Sequence, residues 1–512
     1  MHALTLLVCL VLVGSLAGCS RADRHRQVGM IQVDIETSPQ ATDPRFATDV
    51  YSSRINELVF DSLVRLDNHG RFEPHLAESY ERRGAEQIVF HMRHSVRFSD
   101  GREVTARDIK FTFDSILDPA NASPKRGALM HIKSIDAPDD YTVVMATDGP
   151  YAPALTSAMQ EIVPVGTPLP GKSGSVAPAG AGPFRMVSFH RDESVVLERN
   201  PYYRATADSP RMILFKVVPD PTVRALELTE GICDFSENNI QPEVLPYLST
   251  QPQLKIIKSP GTSYRYVAFN FNDPRLRDAR VRRAIAYAID RDAIVNSMML
   301  GTARVASGLL SPQNWAYDGD VAKYPFDPAK SRELLEQAGY SVGADNMRNL
   351  RFIYKTTPEQ LRFATALQAM LKRVGIELDI RSNEFATFYS DVQHGNFDLM
   401  SLQWVGFSDP DHYYSIFDSK MMPPIGMNRG HYSNPEMDRL LDAGRTTLDV
   451  DARRKIYGQV QQLAADELPY VSLWWDDIVI VMNRDLSGFE PTPSGSLRSL
   501  ATVRIAPPEN PN

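Results

Sequence analysis

The sequence predicts an α/β protein (mixed α+β) that is built from two or three domains. Two observations lead to this prediction. The chain has 512 residues, more than one hydrophobic core usually organises. Along it, short stretches with the period-two pattern of strands alternate with stretches that repeat at the helical period. Regular helix–strand alternation in the second half favours a sheet that helices cover.

The first half reads as strands, turns and one clear helix. Residues 87–101, QIVFHMRHSVRFSDG, alternate polar and apolar side chains and end at a turn formed by an aspartate and a glycine. Thr105 then stands where a helix N-cap is expected, and Ile109, Phe113 and Ile116 follow at helical spacing. Residues 141–147, YTVVMAT, predict another strand, and the Pro/Gly/Ser-rich residues 164–183 predict a long loop that crosses between lobes.

The second half predicts longer helices. Residues 278–299 are expected to form one helix with an apolar face of Val281, Ile285, Ala288 and Ile289. Further helices are predicted in residues 327–338, 361–374, 435–444 and 451–468. A strand is predicted directly after the helix 361–374, and residues 397–407 predict a buried strand.

One motif in the long loop suggests a nucleotide site only superficially. Residues 166–173, GTPLPGKS, match the phosphate-binding pattern G-x-x-x-x-G-K-[ST]. Phosphate binding at this pattern needs backbone N–H groups at the start of a helix. Two prolines remove such donors, and the following GSVAPAGAGP does not predict a helix. We therefore interpret residues 166–173 as an ordinary loop and not as a nucleotide-binding site.

Composition and motifs also argue against several function classes. The net charge of −8, without a long basic run, disfavours nucleic-acid binding. The sequence contains neither the His-Glu-x-x-His nor the Gly-x-Ser-x-Gly pattern, and His91 and His94 are expected on opposite faces of a strand. We therefore predict no enzyme activity, no catalytic residue, no metal site and no cofactor.

The N-terminus carries the signals that predict localisation. An apolar stretch from about Ala3 to Ala17 is shorter than the roughly 20 residues of a membrane-spanning helix and suits a signal peptide. Its ending, LAGC, resembles a bacterial lipobox, which implies cleavage after residue 18 and acylation of Cys19; an ordinary secretory signal is the alternative. Residues 19–28 would form a tether, and the stretch before the apolar segment lacks the usual Lys or Arg.

The positions of the cysteines agree with the predicted signal peptide and lipid attachment. Cys9 leaves with the predicted signal and Cys19 is the predicted lipid site, so Cys233 stands alone in the mature chain. No internal disulfide is then possible, and a buried core thiol is a more economical interpretation of Cys233 than a catalytic one.

Six segments, taken in order, resemble family 5 extracellular solute-binding proteins, the peptide, nickel and related receptors of bacterial ABC importers. They are SVRFSDGREVTARDIKFTFDSIL, GAGPFRMVSF, LERNPYYR, YVAFNFNDPRLRDARVRRAIAYAIDRDAIV, YPFDPAKSRELLEQAGY and ADELPYVSLWW. The resemblance spans about residues 30–490. It implies a two-lobed periplasmic-binding-protein clamshell with a small inserted domain, in which a solute is bound between the lobes without chemical change.

The resemblance also implies domain limits and partners. Lobe I would comprise residues 29–50, 166–261 and 469–507; the inserted subdomain would comprise 51–165, and lobe II 262–468. The expected partners are a small solute, the permease and ATPase subunits of an ABC importer, and the membrane that holds the lipid anchor. The protein would act as a monomer in the periplasm or on the cell-surface side of a bacterial membrane. An orphan sensor or chaperone lipoprotein of the same fold is the alternative.

Residues 402–411, LQWVGFSDPD, are the candidate ligand-binding segment. In the peptide receptors a tryptophan here lines the cleft, and an aspartate three residues later pairs with the peptide amine. Trp404 and the neighbouring Val405 match the wall, but the third position is Phe407 and the segment is one residue short. Asp409 could reach the ligand instead, or it could shape the turn with Asp411; paired acid/base chemistry is a third interpretation. Core packing is the alternative for Trp404. The solute could be a peptide or a non-peptide such as an opine, a glutathione conjugate or a metal chelate.

Overall fold

A computed structural model describes residues 29–67, 70–170, 177–203, 209–344, 346–406 and 409–506. The strands within these ranges form sheets of seven, six and four strands and two sheets of two strands. Each of the larger sheets has its own buried apolar cluster, so the chain contains three principal folding units.

The seven-stranded sheet collects strands from three distant parts of the chain. Its central strand, Met30–Ile35, pairs in parallel with Met212–Val217 and with Phe235–Glu237. The order across the sheet is Leu254–Ser259, Ile478–Asn483, Phe235–Glu237, Met30–Ile35, Met212–Val217, Ser194–Arg199 and Phe184–His190.

The six-stranded sheet is also mixed. Its central strand, Tyr264–Phe269, is antiparallel to both neighbours, whereas Arg351–Thr356 and Glu377–Ser382 are parallel. The order is Ala303–Val305, Tyr470–Asp476, Tyr264–Phe269, Leu399–Trp404, Arg351–Thr356 and Glu377–Ser382. Aliphatic residues of the helices cover one face, and an aromatic cluster covers the other.

The smaller sheets complete the strand inventory. The four-stranded antiparallel sheet has the order Ala77–Arg83, Gln87–Met92, Thr142–Thr147 and Ile132–Asp139. The two-stranded sheets pair Val64–Leu66 with Phe72–Pro74, and Leu486–Ser487 with Arg504–Ile505.

The α-helices lie mainly between strands. They are Val50–Val59, Ala106–Leu117, Ala154–Ser157, Pro221–Thr229, Leu245–Ser249, Pro274–Arg277, Ala279–Ala288, Arg291–Ser297, Pro328–Gln337, Leu361–Lys372, Phe385–Gln393, His412–Phe417, Pro435–Thr446 and Val450–Glu467. Short 3-10 helices are Pro119–Asn121, Arg126–Leu129, Pro242–Val244, Pro358–Gln360, Ser419–Met421 and Arg498–Thr502.

Local sequence signals explain several helix ends. Thr105 begins the helix Ala106–Leu117, and the Asp108 carboxylate accepts hydrogen bonds from the Thr105 N–H at 2.8 Å and the Thr105 hydroxyl at 2.9 Å. Gly375, with φ +86°, follows the end of the helix Leu361–Lys372. The helix predicted for residues 278–299 is instead two helices, because Asp290 caps the second one by accepting from the Ala293 N–H.

The positions of two elements differ from the predicted domain limits. Helix Val50–Val59 packs Ile55, Leu58 and Val59 into the core of the seven-stranded sheet, whereas the predicted limit at residue 51 assigns it to the inserted subdomain. Strand Tyr470–Asp476 pairs within the six-stranded sheet, whereas the limit at residue 469 assigns it to lobe I. We therefore begin the inserted subdomain after this helix and place the return crossing at residue 477; the other predicted limits stay predictions.

The phosphate-binding look-alike has no helix in its described part. Residues 166–170 form a turn and irregular backbone, and residues 171–176, which contain the Gly-Lys-Ser end of the motif, lie outside the described residues. Close packing requires glycine at two later positions of the long loop. A Cβ at Gly180 would lie 1.9 Å from the Val59 carbonyl oxygen, and a Cβ at Gly182 would lie 2.8 Å from it. The glycines therefore allow the loop to pass close to the helix Val50–Val59.

Candidate functional site

Two short segments, residues 260–263 and 477, carry the chain between the two large sheets. They touch each other closely: the Asp476 N–H donates to the Ser263 carbonyl at 2.9 Å. A Cβ at Gly261 would lie only 2.3 Å from the Asp476 carbonyl oxygen, so only glycine fits this crossing without displacing backbone. The paired crossing segments have the form of a hinge between lobe I and lobe II.

Arg304 binds both crossing segments from the lobe II side. Its Nε lies 2.6 Å from the Asp477 carboxylate, and its terminal nitrogen donates to the Gly261 carbonyl at 2.8 Å. The guanidinium is also 5.9 Å from the centre of the Trp475 ring. The edge strand Ala303–Val305 of lobe II is thereby fixed to the hinge.

A cavity of about 500 Å³ opens beside the hinge, between the lobes. We call it the interlobe cavity. Lobe I contributes Phe184, Arg199 and residues of the C-terminal segment 490–502, and lobe II contributes residues 313–315. The two-stranded sheet of Val64–Leu66 and Phe72–Pro74, in the inserted subdomain, contributes Arg65 and Glu73, and Asp67 lies beside it. This volume lies within the range of about 300–1,000 Å³ typical of small-molecule sites.

Charges of both signs line the interlobe cavity. Arg65 and Glu73 form an ion pair at 2.5 Å while about 40% of each side chain remains exposed. Arg199 donates to the carbonyl oxygens of Ser209 and Pro210, and within the described parts of the chain it has no carboxylate partner. The cavity can therefore offer both a cation and an anion to a solute.

Buried hydrogen bonds hold the C-terminal wall of the interlobe cavity. Glu57 accepts from the Ser496 hydroxyl at 2.7 Å and from the Leu497 N–H at 2.5 Å. Burial raises the pKa of Glu57 to about 7, although these two hydrogen bonds oppose the shift. Arg498 forms an ion pair with Asp61. This wall is therefore fixed to the helix Val50–Val59 and to Asp61, which lies just after it.

Trp315 is the aromatic residue that lobe II presents to the interlobe cavity. Its carbonyl accepts from the Arg454 Nε at 2.9 Å, and the guanidinium of Arg453 lies 5.4 Å from its ring centre. The sequence prediction missed this residue. The only signal available was a lone tryptophan in the polar stretch SPQNWAYDGD.

Asp409 forms a buried ion pair with Arg453. The two guanidinium nitrogens lie 2.6 and 3.0 Å from the carboxylate oxygens, and the side chains are only 8% and 6% exposed. The same carboxylate accepts from the Asp411 N–H at 2.8 Å. These bonds shape the turn and connect it, through Arg453, to Trp315; a ligand contact by Asp409 stays a prediction.

Asp411 faces the inserted subdomain. Its carboxylate lies 3.1 Å from the Arg445 Nε, and the Arg445 carbonyl accepts from the Ala152 N–H at 2.7 Å. The Arg445 guanidinium also lies 5.3 Å from the ring centre of Tyr151. Burial raises the pKa of Asp411 to about 6, while Arg445 acts in the opposite direction. The two aspartates thus have separate arginine partners.

Trp404 lies at the end of its strand and packs into the aromatic cluster of lobe II. Its ring stacks on Tyr266 at 5.9 Å and meets His412 edge-on at 5.4 Å, and the Arg429 guanidinium lies 4.9 Å from the ring centre. Trp404 is 9% exposed, whereas Val405, the next residue, is 41% exposed. Neither residue, nor Asp409, is among those that line the interlobe cavity. Phe407 and Cys19 lie outside the described residues.

The remaining side chains that could bind a metal ion or react as a nucleophile do not cluster within the described ranges. Within the described ranges, no three His, Cys, Asp or Glu side chains converge as metal ligands, and no helix combines the length and apolarity that crossing a membrane requires. Cys233 is fully buried, its thiol donates to the Phe235 carbonyl at 3.2 Å, and burial raises its pKa well above the usual range. This agrees with a core thiol.

Comparisons with known proteins agree with this architecture. The family described as "Bacterial extracellular solute-binding proteins, family 5 Middle" matches residues 71–421. A relative from Pseudomonas aeruginosa (strain UCBPP-PA14), named probable di/tripeptide-binding protein 5, is 27% identical over 502 residues, which cover 91% of this chain and 94% of the relative. The probable D,D-dipeptide-binding periplasmic protein DdpA of Escherichia coli (strain K12) is 26% identical over 484 residues, 90% of this chain and 91% of the relative.

A solved structure shows the same fold. NikZ from Campylobacter jejuni, in complex with Ni(L-His), superposes with a TM-score of 0.83 at 24% identity, covering 93% of this chain and 99% of that one. The predicted two-lobed mixed α/β fold and the predicted family are both confirmed, and the family consists of binding proteins. The chain belongs to family 5 of the bacterial extracellular solute-binding proteins.

Proposed function

We propose that this protein is the lipid-anchored receptor of an ABC importer and binds a peptide or peptide-like solute between its lobes. The observation that carries the proposal is the interlobe cavity beside the crossing segments, with walls from lobe I, the inserted subdomain and lobe II. A solute held there touches all three units, so its binding favours the closed arrangement.

The cavity supports a small zwitterionic solute. Its volume of about 500 Å³ is in the range of sites that bury a drug-sized ligand, which suits two or three amino-acid residues. Arg199 and Arg65 offer cations for a carboxylate, and Glu73 offers an anion for an amine. The names of the two curated relatives, which refer to di- and tripeptides and to D,D-dipeptides, support the same class.

The segment from Trp404 to Asp409 is proposed as a second wall that the solute meets on closure. Val405 supplies its exposed apolar surface. Phe407 carries no charge, and the carboxylate of Asp409 is already bound by Arg453. A free amine buried against this wall would lose water without gaining an ion pair, which costs several kcal/mol. We therefore expect binding that does not depend on a free peptide N-terminus at this wall.

The missing amine-binding carboxylate also favours a second candidate, a receptor for a non-peptide solute such as an opine, a glutathione conjugate or a metal chelate. In either case the proposed partners are the permease and ATPase subunits of an importer. The mature protein would be a monomer that a lipid on Cys19 holds at the outer face of a bacterial membrane.

The proposal is tested first by native mass spectrometry of the purified protein, which identifies the solute that remains bound. Calorimetry with that solute, and with one peptide in its free and N-acetylated forms, then measures affinity. We expect Trp315→Ala to weaken binding at least about tenfold, because an aromatic anchor in the cavity is lost. X-ray scattering should show a smaller radius of gyration with solute present. A confirmed importer substrate that gives no heat of binding in calorimetry and leaves the radius of gyration unchanged contradicts the proposal.

A further inference from the structure

Lobe II contains a second cavity of about 500 Å³, which we call the lobe II cavity. It lies between the aromatic face of the six-stranded sheet, residues 305–326 and the end of the helix Val450–Glu467, and it shares no lining residue with the interlobe cavity. Aromatic side chains form a large part of its wall, and the charged residues of the wall are Arg291, Asp292 and Lys323. The aromatic residues are Tyr264, Tyr317, Tyr324, Phe326, Tyr413, Phe417, Tyr470 and Trp475. Such a wall suits a flat aromatic ring.

Arg291 places a buried cation in this wall. Arg291 is 9% exposed, and among the described residues its guanidinium donates to two carbonyl oxygens only, those of Ser472 at 3.3 Å and Ala286 at 3.4 Å. Asp290 and Asp292 act on its charge from a greater distance. Both distances exceed the usual 2.9 Å or so of an N–H···O bond. In the described part of the chain no carboxylate lies within ion-pair distance of it. An arginine keeps its charge, so an anion in the cavity would stabilise it.

Trp475 places a buried hydrogen-bond donor in the same wall. The residue is 4% exposed, and its indole Nε1 has no hydrogen-bond partner among the residues that the structure describes. The adjacent Trp474, on the opposite face of the strand, shows the usual arrangement: its indole N–H donates to Asp476 at 2.8 Å. A buried donor without an acceptor costs about 1–3 kcal/mol, so an acceptor atom in the cavity is favoured here too.

We propose that the lobe II cavity binds a small aromatic carboxylic acid that carries a second oxygen. The ring lies among the aromatic side chains, the carboxylate pairs with Arg291, and the second oxygen accepts from the Trp475 indole. The site is separate from the interlobe cavity, so the proposal does not depend on which solute the protein transports.

The probe is 4-hydroxyphenylacetate, compared by calorimetry with 4-hydroxyphenylacetamide and with phenylacetate. The amide lacks the negative charge, and phenylacetate lacks the second oxygen. We expect the acid to bind and each analogue to bind at least about tenfold more weakly, the effect of one charge-assisted hydrogen bond. A crystal structure of the complex should show the ring in the lobe II cavity. Equal binding of acid and amide, no binding of the acid at millimolar concentration, or density only in the interlobe cavity overturns the proposal.

Two matched variants test the donor. Trp475→Phe keeps the apolar wall but removes the N–H, so it should abolish the preference for 4-hydroxyphenylacetate over phenylacetate. Trp474→Phe makes the same change on the opposite face and should leave that preference intact. Loss of the preference in both variants, or in neither, contradicts the assignment. Arg291→Met should remove the preference for the acid over the amide; if that variant does not fold, the acid–amide comparison in the wild-type protein still decides.

Discussion

Substituting Asp409 by asparagine should destabilise the protein, whichever solute it binds. The Asp409 carboxylate meets Arg453 through two contacts of 2.6 and 3.0 Å, and both side chains are more than nine-tenths buried. Removing one partner of such a pair leaves an uncompensated charge and costs about 3–5 kcal/mol. Since 1 kcal/mol shifts the melting temperature of a 150–250-residue unit by about 2–4 °C, the expected fall is about 6–20 °C.

Thermal and urea unfolding of the solute-free protein measure this effect. Asp451→Asn is the matched control, because it removes an Arg454 ion pair of 2.9 Å in which the side chains are 50% and 80% exposed. That change should cost about 1 kcal/mol or less. The double variant Asp409→Asn with Arg453→Met should recover part of the lost stability. If Asp409→Asn melts within about 2 °C of wild type and abolishes solute binding, Asp409 is a ligand residue and our reasoning is refuted.

Three further predictions concern the anchor, pH and the hinge. Cys19→Ser should release the protein from membranes and abolish palmitate labelling; unchanged membrane association contradicts lipid attachment. The pKa of Asp411 is about 6 in the folded protein and about 3.9 in an unfolded chain, so its contribution to stability is present below pH 4 and is lost as pH rises through 6. Asp411→Asn should flatten the pH profile of unfolding between pH 4 and 6 by up to about 3 kcal/mol, and an unchanged profile contradicts this. Gly261→Ala should lower stability by about 1–3 kcal/mol and alter the radius of gyration without solute, because a Cβ there lies 2.3 Å from the Asp476 carbonyl oxygen; a variant that matches wild type in both contradicts the hinge geometry.

Local signals were sufficient to predict most elements of the fold. Thr105 caps a helix as expected, Leu367 and Leu371 are buried on the helix Leu361–Lys372, and Val374 is buried in the turn that leads to Gly375. The prediction of one helix for residues 278–299 was wrong because apolar spacing continues across Asp290, where a side chain caps a new helix. Domain limits were harder to predict from the sequence. Strand Tyr470–Asp476 belongs to lobe II, but only one residue separates it from the next strand, which belongs to lobe I, so no loop marks the boundary.

The site was harder to predict than the fold. Trp404 and Asp409 were identified through their resemblance to a cleft segment. Their buried contacts could not be predicted in this way, because the partners are distant in sequence: Tyr266 lies 138 positions from Trp404, and Arg453 lies 44 positions from Asp409. Trp315 was missed because its position along the chain carries no such resemblance. It lies in a loop without periodic pattern, and only the approach of lobe I makes that loop a wall.

The pair of aspartates around Pro410 is best understood as a junction between lobe II and the inserted subdomain. Asp409 holds Arg453, which lies against Trp315 in the wall of the interlobe cavity. Asp411 holds Arg445, whose backbone and ring contacts reach the inserted subdomain. Since a carboxylate bound by a buried arginine is poorly placed to bind a second cation, these residues connect the cavity wall to the inserted subdomain more directly than they select a solute amine. We therefore expect the specificity of the proposed site to depend on the residues that line the interlobe cavity, among them Arg199, Glu73 and Trp315.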